Sequence, residues 1–254
     1  MTKTAMVTGA SGGIGLEFAE RLAKEGYAVT LVARSEVKLK DIVGRIGNGA
    51  SYLVADLSIP TDMEKVATNV RAKKYDLLVN NAGVGTYGKF TAQDLAPQLA
   101  MLRLNIDSLV ILSHAYLSGA KSGDALMNVA STLGLLAFPG GSAYCGSKSF
   151  VTSFTEGLWW ENKSRGVYVS SLLPGVTKTN FHEAAGGRAD QQPPEAITQT
   201  AAQVVDVAMH ALERRKSPTI VSGFMNKAMV FMTNRLMSRK AMVNLMGKQS
   251  PSAN

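Results

Sequence analysis

Short apolar segments alternate along the chain with longer stretches in which apolar residues recur at helical spacing. A short, continuous apolar segment is typical of a strand that is buried on both faces of a sheet. The pattern predicts seven such strands, at Thr4–Val7, Ala28–Val32, Ser51–Val54, Leu77–Val79, Ala125–Val129, Val167–Leu172 and Thr219–Val221.

Amphipathic helices are predicted between these strands. Apolar side chains repeat on one face in Gly13–Lys24, in Ser142–Asn162 and in Ala196–Arg214. Strands that are buried on both faces and alternate with helices form parallel sheets covered by helices on each side. We therefore predict a single-domain, Rossmann-type α/β fold, doubly wound around a seven-stranded parallel sheet with helices on both faces.

The composition is consistent with one main domain. The chain has 254 residues, of which 46% are hydrophobic, and this is enough to bury the core of an α/β domain. No linker or low-complexity segment divides it. We predict a main domain over residues 1–223, followed by an extension at residues 224–254.

Several kinds of site are disfavoured by residue content. Cys145 is the only cysteine, which excludes an intramolecular disulfide and a multi-cysteine metal site. The three histidines lack metal-ligand spacing, so we expect no metal. No charged leader precedes the first strand, and no apolar run has the length needed to cross a bilayer. We expect a cytoplasmic protein.

The net charge of +8 is confined to the C-terminal end of the chain. Eight of the 27 basic residues lie in residues 214–254, which contain no acidic residue, so the other 19 balance the 19 acidic residues of the preceding chain. These basic residues carry no nucleic-acid-reading motif, so we expect no nucleic-acid partner.

A glycine-rich segment, Thr8–Gly15, joins the first strand to the first helix. Glycine allows a tight turn and the close approach of a pyrophosphate, whose charge is stabilised by the helix N-terminus. The position of the segment predicts a dinucleotide-binding loop, with contacts from Gly9, Ser11, Gly13, Ile14 and Gly15.

The end of the second strand bears on the choice between NAD and NADP. An acidic residue there commonly binds the adenosine ribose of NAD, but this chain has Ala33 followed by Arg34. A guanidinium group can bind the 2′-phosphate of NADP in bidentate geometry, although a solvated arginine is also common after a strand. We expect NADP(H) to be preferred over NAD(H), with Arg34 as its ligand.

Polar and small residues follow the third and fourth strands, whose ends form the rim of the crevice in an open α/β sheet. Asp56 is placed to receive the adenine amino group, and it is also a candidate to cap the helix that begins near Ser58. We expect adenosine contacts from Asp56, Leu57, Asn81, Ala82 and Gly83.

A serine, a tyrosine and a lysine follow the fifth strand. Ser131 comes just after it, and Tyr144 and Lys148 are four residues apart, which places them on one face of a helix. A neighbouring ammonium group lowers the pKa of a phenol and makes it a better acid or base near neutral pH. A serine hydroxyl can stabilise charge on the same substrate oxygen. The three residues are candidates for a proton-transfer site.

Together these motifs resemble the short-chain dehydrogenase/reductase family over residues 3–222. The matching segments are TGASGGIG (8–15), NNAG (80–83), LRLNIDS around Asn105, Ser131, YCGSK (144–148) and PGVTKT (174–179). The resemblance implies hydride transfer between a nicotinamide and a carbonyl or secondary-alcohol carbon. Tyr144 would donate or accept the proton, Lys148 would lower its pKa and bind the nicotinamide ribose, and Ser131 would orient the substrate oxygen.

The resemblance also implies roles for residues that spacing alone does not single out. Asn105 would hold a helix kink and an ordered water next to the catalytic lysine. The backbone after Pro174 and Gly175, with Thr177, would fix the nicotinamide carboxamide, and Thr179 would lie near the phosphates. We therefore expect all five to belong to the site.

The first loop, with its neutral Gly12, and the Ala33-Arg34 pair are most similar to the NADP-dependent, 3-oxoacyl reductase-like (DltE-like) branch. This implies a small-molecule substrate, an apolar or acyl-type ketone, and a homo-oligomer formed through helices around residues 94–119 and 142–164, as a dimer or a tetramer. The alternative is a nucleotide-sensing or membrane-associated relative without turnover, which would usually lack the tyrosine or the lysine.

We expect two segments to determine which substrate the protein accepts. Residues 181–199 contain glycine and proline pairs and have poor periodicity, and by resemblance they form a substrate lid. In the extension, six apolar residues fall near helical spacing among basic residues: Met225, Met229, Met232, Leu236, Val243 and Met246.

Three interpretations of this methionine stripe remain open. It packs on the body or on another subunit, it lines an entrance for an apolar chain, or it lies on an anionic membrane surface. We expect the first, and membrane contact is the least favoured of the three.

Overall fold

A computed structural model describes residues 2–185 and 197–250 of the chain. Its centre is a sheet whose strands are β1 (Thr4–Thr8), β2 (Ala28–Ala33), β3 (Ser51–Val54), β4 (Leu77–Asn80), β5 (Ala125–Val129), β6 (Tyr168–Leu173) and β7 (Thr219–Val221). The strand order is β3-β2-β1-β4-β5-β6-β7, and all neighbouring strands pair in parallel. The predicted seven-stranded, doubly wound α/β fold is confirmed.

Helices lie between the strands and after the last one. They are α1 (Gly13–Lys24), α2 (Glu36–Ile46), α3 (Pro60–Lys73), α4 (Leu95–Leu102), α5 (Ser108–Leu117), α6 (Ser142–Lys163), α7 (Phe181–Ala184), α8 (Ala201–Arg214), α9 (Phe224–Arg235) and α10 (Arg239–Gln249).

The core has two layers because alternate residues of each strand point to opposite faces of the sheet. Val7 faces a cluster that includes Phe18 of α1 and Val204 of α8. Met6 faces the other cluster, with Val66 of α3 and Leu112 of α5. All six side chains are fully or almost fully buried.

The start of α8 differs from the prediction. The helix begins at Ala201 rather than at Ala196, which lies outside the described residues. Thr200 ends the preceding segment because its side chain accepts a hydrogen bond from the backbone of Gln203, whose side chain in turn accepts one from the backbone of Thr200. This reciprocal capping fixes the first turn of the helix.

The predicted lid at 181–199 is described only at its two ends. Helix α7 is the next element after β6, and residues 197–199 lead into α8. Residues 186–196, with the glycine and proline pairs, lie outside the described residues.

One helical stretch passes the length and composition test for a membrane span, which corrects the expectation that none does. Leu95–Leu117 runs for 23 residues with a mean hydropathy of 1.3. Only 33% of the tested window is buried. In its second half, α5, Leu112 and Tyr116 are buried against α3, so the apolar character of α5 serves the packing of the domain, whereas Leu95 and Leu99 of α4 are exposed. The fold itself is an α/β domain of the soluble type.

The C-terminal residues form two helices, and only two of the six stripe residues, Met229 of α9 and Met246 of α10, pack on the body as expected. Met242 and Met246 of α10 are buried against Leu136, which follows β5. Four of the six residues predicted to form the packing stripe are exposed instead: Met225, Met232, Leu236 and Val243. Helix α9 ends at Arg235 and a new helix begins after Ser238, whose side chain caps α10. A single helical periodicity therefore does not run through both. The domain boundary at residues 223/224 stays a prediction.

Candidate active site

The loop between β1 and α1 has a backbone that requires glycine. Gly9 and Gly13 have φ angles of +67° and +56°, in the left-handed region. A Cβ atom on Gly15 would overlap the carbonyl of Gly9 and would lie 2.5 Å from Nδ2 of Asn81. Helix α1 begins at Gly13 without a side-chain cap, so its first backbone N–H groups remain available to an anion.

Hydrogen bonds join the ends of β1 and β4, where the strand order of the sheet reverses. Oγ1 of Thr8 accepts hydrogen bonds from the backbone N of Asn81 at 2.9 Å and of Ala82 at 3.0 Å. Nδ2 of Asn81 donates to the carbonyl of Thr8 at 2.9 Å. Crevices at such reversal points are the usual ligand sites of doubly wound folds.

The segment after β6 lies beside the first loop. A Cβ atom on Gly13 would be 3.1 Å from Cγ2 of Thr179, which places the two side by side. Gln199 holds the segment because its carbonyl accepts a hydrogen bond from the backbone N of Lys178 at 2.8 Å and its own N donates to Val176 at 2.9 Å. Thr177 forms a parallel bridge with the same residue. Thr179 therefore lies beside the loop, and the cofactor contacts of Pro174, Gly175 and Thr177 stay a prediction.

Arg34 and Asp56 lie on the rim at the ends of β2 and β3. Nη1 of Arg34 is 4.0 Å from Oδ2 of Asp56, and the arginine side chain is 76% exposed. Burial raises the pKa of Asp56, but hydrogen bonds from Ser58 and the charge of Arg34 outweigh it, so the net shift is downward. Asp56 does not cap α3, which corrects that alternative: its Oδ1 accepts from Ser58, whereas α3 begins at Pro60.

A buried lysine lies at the ends of β4 and β5. The side chain of Lys148 is 4% exposed, and its Nζ donates to the carbonyl of Val129 at 2.9 Å. A Cβ atom on Gly83 would be 3.3 Å from this Nζ and 3.1 Å from Oδ1 of Asn105. Burial lowers the pKa of Lys148 to about 8.

Asn105 lies in a π-helical turn, Arg103–Asp107, that joins α4 to α5. Its Nδ2 donates to the carbonyl of Val84 at 2.9 Å and to Oγ of Ser147 at 3.1 Å, and its Oδ1 accepts from the N of Val84 at 3.1 Å. Such turns distort a helix locally and are frequent at functional sites. The turn directs Asn105 towards the loop after β4 instead of along the helix.

Burial determines the acidity of the Tyr144 phenol. Burial, together with the nearby Tyr87, raises the pKa of Tyr144 well above its ordinary value, and a hydrogen bond with Ser131 only partly opposes this. The prediction that Lys148 lowers this pKa is wrong for this arrangement. The Lys148 Nζ lies 5.9 Å from the centre of the phenol ring and donates to a backbone carbonyl.

Ser131 follows β5 and begins a short 3-10 turn, Thr132–Gly134, by accepting a hydrogen bond from the N of Leu133 at 3.1 Å. A Cβ atom on Gly134 would lie 2.6 Å from the carbonyl of Lys148, so this turn packs tightly against α6. The structure thus brings Ser131, Tyr144, Lys148 and Asn105 together beside the glycine-rich loop.

Comparison with known proteins identifies the family. A model of the short chain dehydrogenases matches residues 3–189, which is most of the chain. The chain belongs to the short-chain dehydrogenase family. It is therefore an oxidoreductase that acts on alcohol or ketone groups, in a family whose members bind NAD(P).

Similar proteins in this family include enzymes whose names refer to acyl or steroid substrates. The chain is 31% identical over 208 residues to the very-long-chain 3-oxoacyl-CoA reductase of Anas platyrhynchos, covering 78% of this chain and 67% of that protein. A short-chain dehydrogenase from Sphingobium yanoikuyae in complex with NADPH is similar with a TM-score of 0.80 and 31% identity, over 86% and 87% of the two chains. A 7β-hydroxysteroid dehydrogenase has a TM-score of 0.86 at 25% identity, over 96% of each.

Tyr87 and Phe181 lie next to Tyr144 in this dehydrogenase, and His182 lies next to Tyr87; none of the three was predicted to be catalytic from the sequence. The rings of Tyr87 and Phe181 are centred 6.5 Å and 5.7 Å from the Tyr144 ring, and His182 is 5.5 Å from Tyr87. Nε2 of His182 is buried without a hydrogen-bond partner in the described part of the chain. Only the position of His182 near the predicted lid pointed to it; nothing in the sequence pointed to Tyr87.

The buried charge of Lys148 predicts a pH-dependent cost to stability. The pKa of Lys148 is 10.5 in a solvated chain and about 8 when folded, so below pH 8 both states hold the proton and the folded state bears the full cost. We expect Lys148→Met to raise the free energy of unfolding by up to about 3 kcal/mol near neutral pH. Between the two pKa values the unfolded state binds more protons, so wild-type stability rises with pH and this advantage shrinks.

Urea unfolding of the wild type and of Lys148→Met, each near pH 7 and near pH 10, measures the effect. Lys73→Met, at an exposed lysine, is the control. An advantage of Lys148→Met that is equal at both pH values, or absent at both, contradicts the buried-cation account.

Proposed function

We propose that this short-chain dehydrogenase is an NADP(H)-dependent oxidoreductase of apolar, acyl-type ketones and the corresponding secondary alcohols. The observation that carries the proposal is the convergence of Tyr144, Lys148, Ser131 and Asn105 in one buried site. This site adjoins a glycine-rich loop whose backbone fits a dinucleotide.

Each residue has a chemical role in this proposal. When bound, the nicotinamide supplies or accepts the hydride. Because its pKa is raised by burial, Tyr144 is protonated near neutral pH, which suits proton donation to a carbonyl oxygen and hence reduction. Ser131 stabilises negative charge on the same oxygen. Lys148, with a pKa of about 8, is largely cationic at neutral pH and is placed to bind the ribose hydroxyls.

The roles of the cofactor residues follow the geometry of the crevice. The loop residues Gly9, Ser11, Gly13, Ile14 and Gly15, with Thr179, are assigned to the pyrophosphate. The residues at the ends of β3 and β4 are assigned to adenosine, namely Asp56, Leu57, Asn81, Ala82 and Gly83. The segment with Pro174, Gly175 and Thr177 is assigned to the nicotinamide.

A preference for NADP(H) rests on the rim beyond β2. Arg34 is largely exposed and Ala33 leaves no carboxylate at the strand end, so a 2′-phosphate would meet a guanidinium group. The carboxylate of Asp56 lies 4.0 Å from the same guanidinium group on the rim. The NADPH complex of the Sphingobium relative supports the same choice.

The apolar walls near Tyr144 support an acyl-type substrate. We assign one wall to Phe138, which approaches Tyr87 at Gly141, and to the buried cluster on which it packs, Leu136, Met242 and Met246. Methionine side chains adapt to irregular apolar ligands. On the other side lie Tyr87 and Phe181, with the unpaired Nε2 of His182 available to a second oxygen of the substrate. The name of the 3-oxoacyl-CoA reductase relative supports this class.

The assembly and the location form part of the same proposal. We assign a homo-oligomer to the faces of α4, α5 and α6, because Leu95, Leu99, Phe150 and Trp160 are exposed there. We also assign a cytoplasmic location. A nucleotide sensor without turnover is the rival from another class, and the complete set of catalytic-type side chains in one site disfavours it.

Removing the phenol oxygen tests the proton-transfer role. Tyr144→Phe should lower kcat for NADPH-dependent ketone reduction by about 10²–10⁴-fold and leave the Kd for NADPH nearly unchanged. The matched control is Tyr168→Phe, which loses a hydroxyl that donates to the carbonyl of Ser217. Tyr168 begins β6 and so lies at the opposite end of this strand from the site. Absorbance of NADPH, followed against apolar ketones and 3-oxoacyl thioesters, is the measurement.

Retention of turnover in Tyr144→Phe would rule out this role. Tight NADPH binding without turnover of any carbonyl by the wild-type chain would favour the sensor.

Reversing the charge at the rim tests the cofactor preference. Arg34→Asp should weaken NADPH binding by at least about 10-fold and improve NADH binding, because the guanidinium–phosphate contact is lost and a ribose acceptor is gained. Lys38→Asp on α2 makes the same charge change at another exposed position. Fluorescence titration with both cofactors gives the two Kd values, and an unchanged ratio in Arg34→Asp refutes the assignment.

A further inference from the structure

Helix α9 has its polarity reversed relative to an ordinary surface helix. Its polar residues Asn226 and Thr233 are buried, at 8% and 3% exposure, and donate to the carbonyls of Ser222 and Met229. Five large apolar residues in and just after the helix are exposed instead, whereas Met229 and Val230 are half-buried. We name as the α9 face the side chains of Phe224 (82% exposed), Met225 (58%), Phe231 (61%), Met232 (50%) and, one residue beyond the helix, Leu236 (71%).

The residues of the α9 face lie on one side of the helix, with the exposed Ala228 and Arg235 between them. Phe224 and Phe231 are seven residues apart, as are Met225 and Met232, so the two pairs form adjacent rows along the same side of the helix. An exposed apolar patch of this kind marks an interaction site, whereas single exposed apolar residues do not.

Basic side chains surround this face. Lys227 and Arg235 lie on α9, and Arg239 and Lys240 begin α10, all of them exposed. Residues 214–254 contain no acidic residue. Within residues 2–185 and 197–250, no carboxylate pairs with any of these four cations. The occupant of the face must therefore be apolar and supply negative charge.

The same charge argument separates two possible occupants. A second copy bound through a twofold axis would place this basic surface against itself, with no acidic residue of the tail to offset the repulsion. A bilayer of anionic lipids offers both an apolar interior and a negative surface, which is the combination that basic amphipathic helices bind.

We propose that the α9 face docks this protein on anionic membranes, with Phe224, Phe231 and the neighbouring methionines inserted among the acyl chains and the four cations at the headgroups. This inference is independent of the substrate and cofactor assigned above.

Docking through α9 would also orient the active site. A Cβ atom on Gly175 would overlap Asn226, and Nδ2 of Asn226 donates to Oε1 of Gln199 at 3.2 Å. Helix α9 is therefore fixed to the segment after β6 and to the end of the predicted lid. These contacts lie on the side of α9 opposite the α9 face, so docking would fix the orientation of the crevice relative to the membrane.

Vesicle sedimentation with the full chain tests the proposal. The wild type should bind vesicles with about 30% phosphatidylglycerol in phosphatidylcholine much more tightly than pure phosphatidylcholine vesicles. Phe224→Ser with Phe231→Ser should weaken this binding by about 100-fold, at about 10-fold for each aromatic ring. The control is Val37→Ser with Ile59→Ser, which removes two exposed apolar side chains from other helix starts.

A charge variant separates the electrostatic contribution. Lys227→Glu with Arg235→Glu should weaken binding by about 5-fold for each basic charge lost and more for the added acids, whereas Lys38→Glu with Lys73→Glu should have little effect. Thermal unfolding and NADPH binding confirm that each variant is folded.

Three results would overturn the proposal. The wild type does not bind the anionic vesicles, or the α9 and control variants lose binding equally. In the third, the α9 variants leave vesicle binding unchanged and reduce the oligomer size in analytical ultracentrifugation, which would assign the face to a contact between copies.

Discussion

The position of the Lys148 ammonium group is the constraint on which the site depends. A buried cation is costly unless polar groups surround it, and these groups come from separate parts of the chain. The carbonyl at the end of β5 accepts its hydrogen bond, while the Gly83 backbone and the Asn105 amide lie close by. The π turn supplies Asn105, and the absence of a side chain at Gly83 leaves room for the lysine. Because Tyr144 is one turn earlier on α6, the same packing fixes the phenol.

The cofactor crevice and the substrate walls are built on the same edge of the sheet by different means. Hydrogen bonds from Asn81 and Ala82 to Thr8 lock the ends of β1 and β4, and the glycine-rich loop fits only because it has no side chains there. The walls that we assign to the substrate come instead from apolar packing of α10 on the turn after β5. The first arrangement leaves little freedom for change, whereas the second allows the substrate class to vary within one family.

Those parts of the molecule that depend on local pattern could be predicted from the sequence. The strands follow from short apolar runs, and α1 follows from its periodicity after the glycine-rich loop. The features that could not be predicted depend on contacts between residues that only the folded structure brings together. The pKa of Tyr144 reflects burial on all sides, and the start of α8 reflects a capping exchange between Thr200 and Gln203. In the tail, Asn226 is buried because Gln199 and Ser222 offer it partners, which turns the apolar side of α9 outwards.

The central claim is that this site transfers a hydride from NADPH to an apolar ketone. The most direct measurement is mass spectrometry of the product formed from NADPH that is deuterated on the transferable position at C4, with a 3-oxoacyl thioester as substrate. The account predicts one deuterium on the new carbinol carbon and an equal amount of oxidised cofactor. An unlabelled alcohol, or a cofactor that remains reduced in the presence of every apolar ketone tested, would contradict it.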